Sequence, residues 1–201
     1  MNFKNKKILI LDTEYETSPK RLLSLAYIIY KNNKKIKENI FYVKHEKNIF
    51  SVNENGSAFK YHKITNKYLQ ENGKNIKNIF LQFSIDLKDI DIVVGQNIIS
   101  ADIDIIRKES IGLMLWDNDI RPILLKKKIF DTMKIFKNTH NDLSASLDNI
   151  FKFLTNEDIK DHHNALSDCK NTYTCFIIMS KKKKYIFQEK KLFFSEDKYF
   201  K

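Results

Sequence analysis

A chain of 201 residues with 42% apolar side chains is long enough to bury one core, and that fraction excludes a disordered polymer. Its 4 glycines and 2 prolines exclude a linker-rich construction, and no apolar run reaches the roughly 20 residues a membrane span needs. With 36 Lys+Arg against 25 Asp+Glu the formal net charge is +11, a balance that draws polyanions, nucleic acid before acidic lipid.

The chain opens on Lys7-Ile8-Leu9-Ile10-Leu11-Asp12-Thr13-Glu14, four consecutive apolar residues running into two acids. Such a run predicts a strand covered on both faces. Alternation along it puts Asp12 and Glu14 on the same side. Two carboxylates held together at a buried strand end repel each other and resist desolvation. A divalent cation relieves both costs, and oxygen ligands suit Mg²⁺ or Mn²⁺. Two wet surface acids give the same pattern, so this motif alone does not decide.

Past a turn at Thr17-Ser18-Pro19-Lys20, Leu22 to Tyr30 predicts a second strand, and Asn32-Asn33 turns it into a third from Ile36 to Val43. Residues 46–73 read as a polar loop with a short helical piece near Ser57-Ala58-Phe59. His62 within it is expected to pack or hydrogen-bond rather than to bind a metal. Ile76, Ile79, Phe80, Phe83 and Leu87 share helical spacing, and Asp91 to Gly95 gives a short buried strand. The helix therefore crosses over to a parallel neighbour, an α/β arrangement with a mixed sheet.

Beyond Gly95, Ser100 is the expected N-cap of a helix carrying Ile103, Ile105 and Ile106. An acid in its first turn stands at a strand end, where open α/β sheets collect ligands. Leu115 and Trp116 are expected to pack, Lys126-Lys127-Lys128 to be solvated or to touch phosphate, and Asp131 to cap a helix. Leu147, Ile150, Phe151 and Leu154 predict an amphipathic helix starting at Ser144 or Ser146. Leu166, Cys169, Tyr173, Phe176 and Ile177 predict a last helix that carries Asp168, with His163 at or just before its start. Lys181 to Lys201 mixes lysines with aromatics, either a solvated helix end or a stacking surface for single-stranded nucleic acid. The expected organisation is one domain over 1–180 with 181–201 as a basic, aromatic extension. Cys169 and Cys175, six apart on one helix, face different ways and predict no disulfide. The four apolar residues before Asp12 are too few for a signal peptide, so a reduced cytoplasmic protein is expected.

Taken together, the polar residues form an ordered set: Leu11-Asp12-Thr13-Glu14, then Val94-Gly95-Gln96-Asn97-Ile98 leading to Asp102, then His163-Asn164-Ala165-Leu166-Ser167-Asp168. This order resembles the DEDDh branch of the DnaQ-like 3′–5′ exonucleases. Phe59-Lys60-Tyr61-His62-Lys63-Ile64-Thr65 is similar to that family's His-Gly-Ile-Thr segment, and the likeness extends over roughly residues 6–180. The departures lie in the second motif. Gln96-Asn97 stands where the family has His-Asn, Ala101 where it has Phe, and the stretch from Asn97 to the acid is one residue longer. Asp104 therefore competes with Asp102, which is preferred because Ile103, Ile105 and Ile106 then match the family's apolar positions.

The resemblance implies a ribonuclease H-like three-layer α/β fold, a mixed central sheet flanked by helices. It implies hydrolysis of phosphodiester bonds at the 3′ ends of single-stranded DNA or RNA, releasing nucleoside 5′-monophosphates with two Mg²⁺ or Mn²⁺ ions. Asp12, Glu14 and Asp168 would hold the first ion, and Asp12 and Asp102 the second. His163 would accept the proton of the attacking water, with His162 as the fallback. Tyr15, through its main chain, and Asn97 would bind substrate. A polymerase or a second copy of the chain are the further partners the family suggests, and no membrane is implied. Two rival readings remain open. One is a catalytically weakened nucleic-acid-binding or polymerase-associated subunit, which the altered second motif favours. The other is a scaffold with a basic surface, which leaves Asp12 and Glu14 unexplained.

Overall fold

The computed structural model describes residues 3–46, 49–160 and 164–187. The opening apolar run forms β1 (Lys7–Thr17), which turns back into β2 (Lys20–Lys31) and β3 (Lys34–Tyr42). Both hairpin pairings are antiparallel. A segment with two short helices, α1 (Phe59–His62) and α2 (Asn66–Asn72), leads to α3 (Ile76–Lys88) and β4 (Ile92–Gly95). A π-helical turn at Ile99–Ile103 runs into α4 (Asp104–Ile111), and a second one at Trp116–Ile120 into α5 (Arg121–Leu124). The chain finishes with β5 (Lys128–Asp131), α6 (Thr132–Lys137), α7 (Leu147–Thr155) and α8 (Ala165–Lys181).

The sheet runs β3-β2-β1-β4-β5, with β4 parallel to β1 and β5 parallel to β4. β1 is central, and its alternation assigns the two layers. Leu9 and Leu11 pack with Phe80 and Phe83 of α3 and Ile105 and Ile106 of α4. Ile8 and Ile10 pack on the other face with Phe136 of α6, Ile150 of α7 and Phe176 of α8. This is the α/β three-layer arrangement expected, with helices on both faces of a mixed sheet. The edge strand β3 carries exposed lysines at 34 and 35, which deter edge-to-edge pairing.

Two details depart from the sequence expectations. The segment after α1 contains the helix α2, capped by Thr65, whose side chain accepts from the Tyr68 amide. Its apolar content is small, with Leu69 joining Leu23, Phe50, Val52 and Ile64 in a satellite cluster, so helical spacing had little to act on. Ser100 is not an N-cap: it lies inside the π-turn, which begins one residue earlier. Asp131 and Ser146 do cap, Asp131 accepting from the amides of Met133 and Lys134 and Ser146 from that of Asn149. Cys169 and Cys175 are both buried free thiols. Among the described residues no helix is long and apolar enough to cross a membrane.

Candidate active site

β1 pairs with β4 only from Ile8 to Ile10, so its second half projects past the point where β4 ends and the chain turns at Gly95. Strands that part at their carboxyl ends open a crevice there. A cleft of about 350 Å³ lies at that place, lined by Asp12, Glu14, Tyr15, His62, Gln96 and Asp102 among others. A cavity of about 390 Å³ at the other end of β1, between Phe3, Tyr30, Asn32 and Lys181, has no acid or histidine among the described residues of its wall.

Asp12 follows Ile10 in the alternation and so points toward the layer that contains α8, where Asp168 stands in the first turn. Side-chain oxygens of Asp12, Glu14 and Asp168 lie within 4.8 Å of one another. Asn164 caps α8, its side chain accepting from the amides of Leu166 and Ser167 at 3.0 and 3.4 Å, which fixes where that first turn begins. A register shift between Glu14 and Tyr15 bends the β1–β2 ribbon beside the acids, the kind of irregularity that re-aims side chains at functional sites.

Asp102 enters from the opposite layer, on the π-turn, and is 2% exposed. Its Oδ1 accepts a hydrogen bond of 2.7 Å from Thr13 Oγ1. The extra residue counted between Asn97 and the acid is accommodated here: the Ile103 amide donates to the Ile98 carbonyl five residues back. A π-turn takes up one more residue than α-helical spacing allows, and such turns gather at functional sites. Asp104 is turned elsewhere, paired with Lys20 at 2.7 Å and Arg107 at 3.3 Å. Burial raises its pKa, but those cations outweigh it and hold the carboxyl below the usual range.

The electrostatics of the cluster are those of acids short of a counter-charge. Burial pushes Asp12 well above the ordinary carboxylate range, and Asp102, Glu14 and Asp168 add repulsion. Glu14 is pushed up to about 8, by loss of water first and then by Asp168 and Asp102. Asp102 is pushed up to about 7 by burial, against the pull of the Thr13 hydroxyl and nearby amides. Hard oxygen donors this close, with Asp12 and Glu14 disfavoured as bare anions, fit a divalent cation.

The second motif is anchored from β5 and α6. Gln96 donates to the Ala145 carbonyl at 2.6 Å and accepts from Thr132 Oγ1 at 2.5 Å. Asn97 adopts a left-handed φ of 54°, and its amide donates to Asp131 Oδ1 at 3.0 Å. Gln96 rather than Asn97 lines the cleft. His62 is buried, accepts from the Ile64 amide at 3.0 Å, and sets Nε2 3.4 Å from Glu16 Oε1. That buried pair was missed in the sequence, although Glu16 continues the alternation of Asp12 and Glu14. His162 and His163 lie outside the described residues.

A family model described as Exonuclease matches residues 9–176. The chain belongs to that exonuclease family. The solved structures it resembles have the same ribonuclease H-like fold. They include Escherichia coli Exonuclease I in complex with a dA16 oligonucleotide (TM-score 0.71, 16% identity, 89% of this chain and 41% of that one). A further Exonuclease I structure, described as suggesting how processivity is achieved, gives a TM-score of 0.72 at 14% identity, again with 89% and 41% covered. A moderately thermophilic Exonuclease I from Methylocaldum szegediense gives 0.69 at 17% identity, with the same coverage. The exonuclease-family chain thus spans about two-fifths of the length of these structures. No curated protein matches it.

Proposed function

We propose that this protein is a metal-dependent 3′–5′ exonuclease that hydrolyses phosphodiester bonds at single-stranded 3′ ends and releases nucleoside 5′-monophosphates. The observation that carries the reading is the convergence of Asp12, Glu14 and Asp168 within 4.8 Å, with the buried Asp102 beside them, in a cleft at the end of the central strand. In this reading Asp12, Glu14 and Asp168 hold one Mg²⁺ or Mn²⁺, and Asp12 with Asp102 serves a second. Such ions supply an activated water and neutralise charge on the leaving 3′-oxygen.

The chain's own groups do the rest. Carboxylates from both layers would hold the cations, and only through those cations would the phosphate be seated between β1 and the π-turn. The main chain at Tyr15, on the projecting half of β1, holds the terminal 3′-hydroxyl, and Gln96, next to Asn97, forms the cleft wall at the second motif. His163, the residue before the α8 cap Asn164, accepts the proton of the attacking water, and an imidazole of pKa near 6.5 suits that role at neutral pH. The net charge of +11 favours a polyanionic substrate, and the Escherichia coli Exonuclease I structure described as a complex with ssDNA is in keeping with a single-stranded one.

The test is a gel time course on 3′- and 5′-labelled single-stranded DNA and RNA with Mn²⁺, Mg²⁺ or EDTA. The expected result is a metal-dependent ladder that shortens from the 3′ end. Intact substrate under every condition, with binding retained, would make the protein a nucleic-acid-binding member of the family instead.

A further inference from the structure

Strand alternation separates the first motif between two layers. Asp12 shares its side of β1 with Ile10, packed toward α8, whereas Thr13 shares its side with Leu11, packed toward α3 and α4. The residue between the two acids thereby faces the layer that carries the remaining carboxylate. Thr13 is 7% exposed, and its hydroxyl donates to Asp102 Oδ1 at 2.7 Å, a buried contact between residues 89 apart in sequence.

The position of Asp102 needs such a fixture. It sits in a π-turn that takes up a residue of extra length, an irregular start to the helix that follows. The turn's first residues have no side-chain cap. A short aspartate there has two χ angles free, and only some rotamers bring an oxygen to the cleft. Thr13 occupies Oδ1 and leaves Oδ2 as the carboxylate oxygen without that hydroxyl, in a cleft that Asp12 also lines.

We propose that Thr13 is a positioning residue that sets Asp102 for the second divalent cation. The inference rests on the two-ion reading above. The residue touches neither substrate nor ion; it acts through Asp102. The hydroxyl is the side-chain donor beside the nearby amides; a methyl of the same shape cannot replace it, and a buried carboxylate one donor short is held less firmly.

Thr13→Val keeps shape and β-branching and removes the donor, while Thr13→Ser restores it. Mn²⁺ binding is measured by calorimetry and by electron paramagnetic resonance on wild type and both variants, with thermal melting as a check on folding. The expected result is two ions on wild type. Thr13→Val keeps the tighter ion within a few-fold and loses about ten- to a hundredfold in affinity for the weaker one, the usual scale for a ligand's supporting partner. Thr13→Ser restores the weaker ion to within a few-fold of wild type.

Wild type and Thr13→Val binding both ions alike would overturn the assignment, and so would a Thr13→Ser protein as impaired as Thr13→Val. If Thr13→Val does not fold, the serine variant decides alone: near-wild-type binding of the second ion supports the proposal, and its loss overturns it. Wild type that binds no Mn²⁺ at all would overturn the metal-dependent reading and this proposal with it, a result distinct from loss in the variants alone.

Discussion

At the scale of the residue, the defining fact is that Asp12, Glu14 and Asp102 are held, with Asp168 near them, where none of the three is favoured as a lone anion. Asp12, Glu14 and Asp168 crowd together, and Asp102 is buried beside them. If these are the catalytic acids, Asp12→Ala lowers hydrolysis by about a thousandfold or more, because it removes the ligand shared by both ions. His163→Ala costs about a hundred- to ten-thousandfold, the range for a lost general base, with substrate binding retained. Both are read as initial rates on a labelled single strand. The raised carboxyls also set a pH dependence for the metal-free protein. Glu14 titrates near 8 in the fold against 4.5 when unfolded, and Asp102 near 7 against 3.8. The folded state therefore binds more protons, so this contribution to stability is full below the unfolded values and is lost as pH rises to about 7 to 8. Melting in EDTA should fall by several degrees between pH 5.5 and 8.5. Added Mn²⁺ should raise the melting point more at pH 8.5, where it displaces fewer protons, and an equal rise at both pH values would contradict the assignment.

At the scale of the element, the strand end and the turns that flank it do the positioning. The acids on β1 and α8 follow from regular geometry: a period of two along the strand, and a first helical turn fixed by the Asn164 cap. The second motif does not. Its helix expectation was right about Ile103, Ile105 and Ile106, which are buried, and wrong about Ser100, because a π-turn replaces the first α-helical turn. Asp131 supports this motif from outside the cleft. Its side chain caps α6 and also holds the Asn97 amide. Asp131→Ala should therefore destabilise the protein by about 1 to 2 kcal/mol, the upper range for a lost cap. The measurement is the urea midpoint, and an unchanged slope would show that the denatured state is unaffected.

At the scale of the whole molecule, the sheet order and the charge act together. β1 is flanked by β2 and β4 and reaches past β4, so the crevice opens where the acids are. The net charge of +11 stands against the acids of that cleft, a balance that favours a polyanionic partner. Binding of a single-stranded oligonucleotide by Asp12→Ala in EDTA should weaken linearly in log–log form as salt rises from 50 to 300 mM. The slope should be about −0.7 for each phosphate contacted. A flat response would assign the charge to solvation alone.

The sequence by itself determined the covered central strand and the mixed α/β sheet, because period-two and helical spacing record burial directly, and its ordered motifs around Asp12, Glu14 and Asp168 carried the resemblance to the exonucleases. It preferred Asp102 to Asp104 only through the match of Ile103, Ile105 and Ile106 to the family's apolar positions. Tertiary structure alone decided what the added residue before Asp102 does, since a π-turn leaves no mark in hydrophobic spacing. It also decided the Thr13–Asp102 bond and the Glu16–His62 pair, which join residues 89 and 46 positions apart. Such contacts depend on how two elements pack, and no local pattern encodes the distance between them.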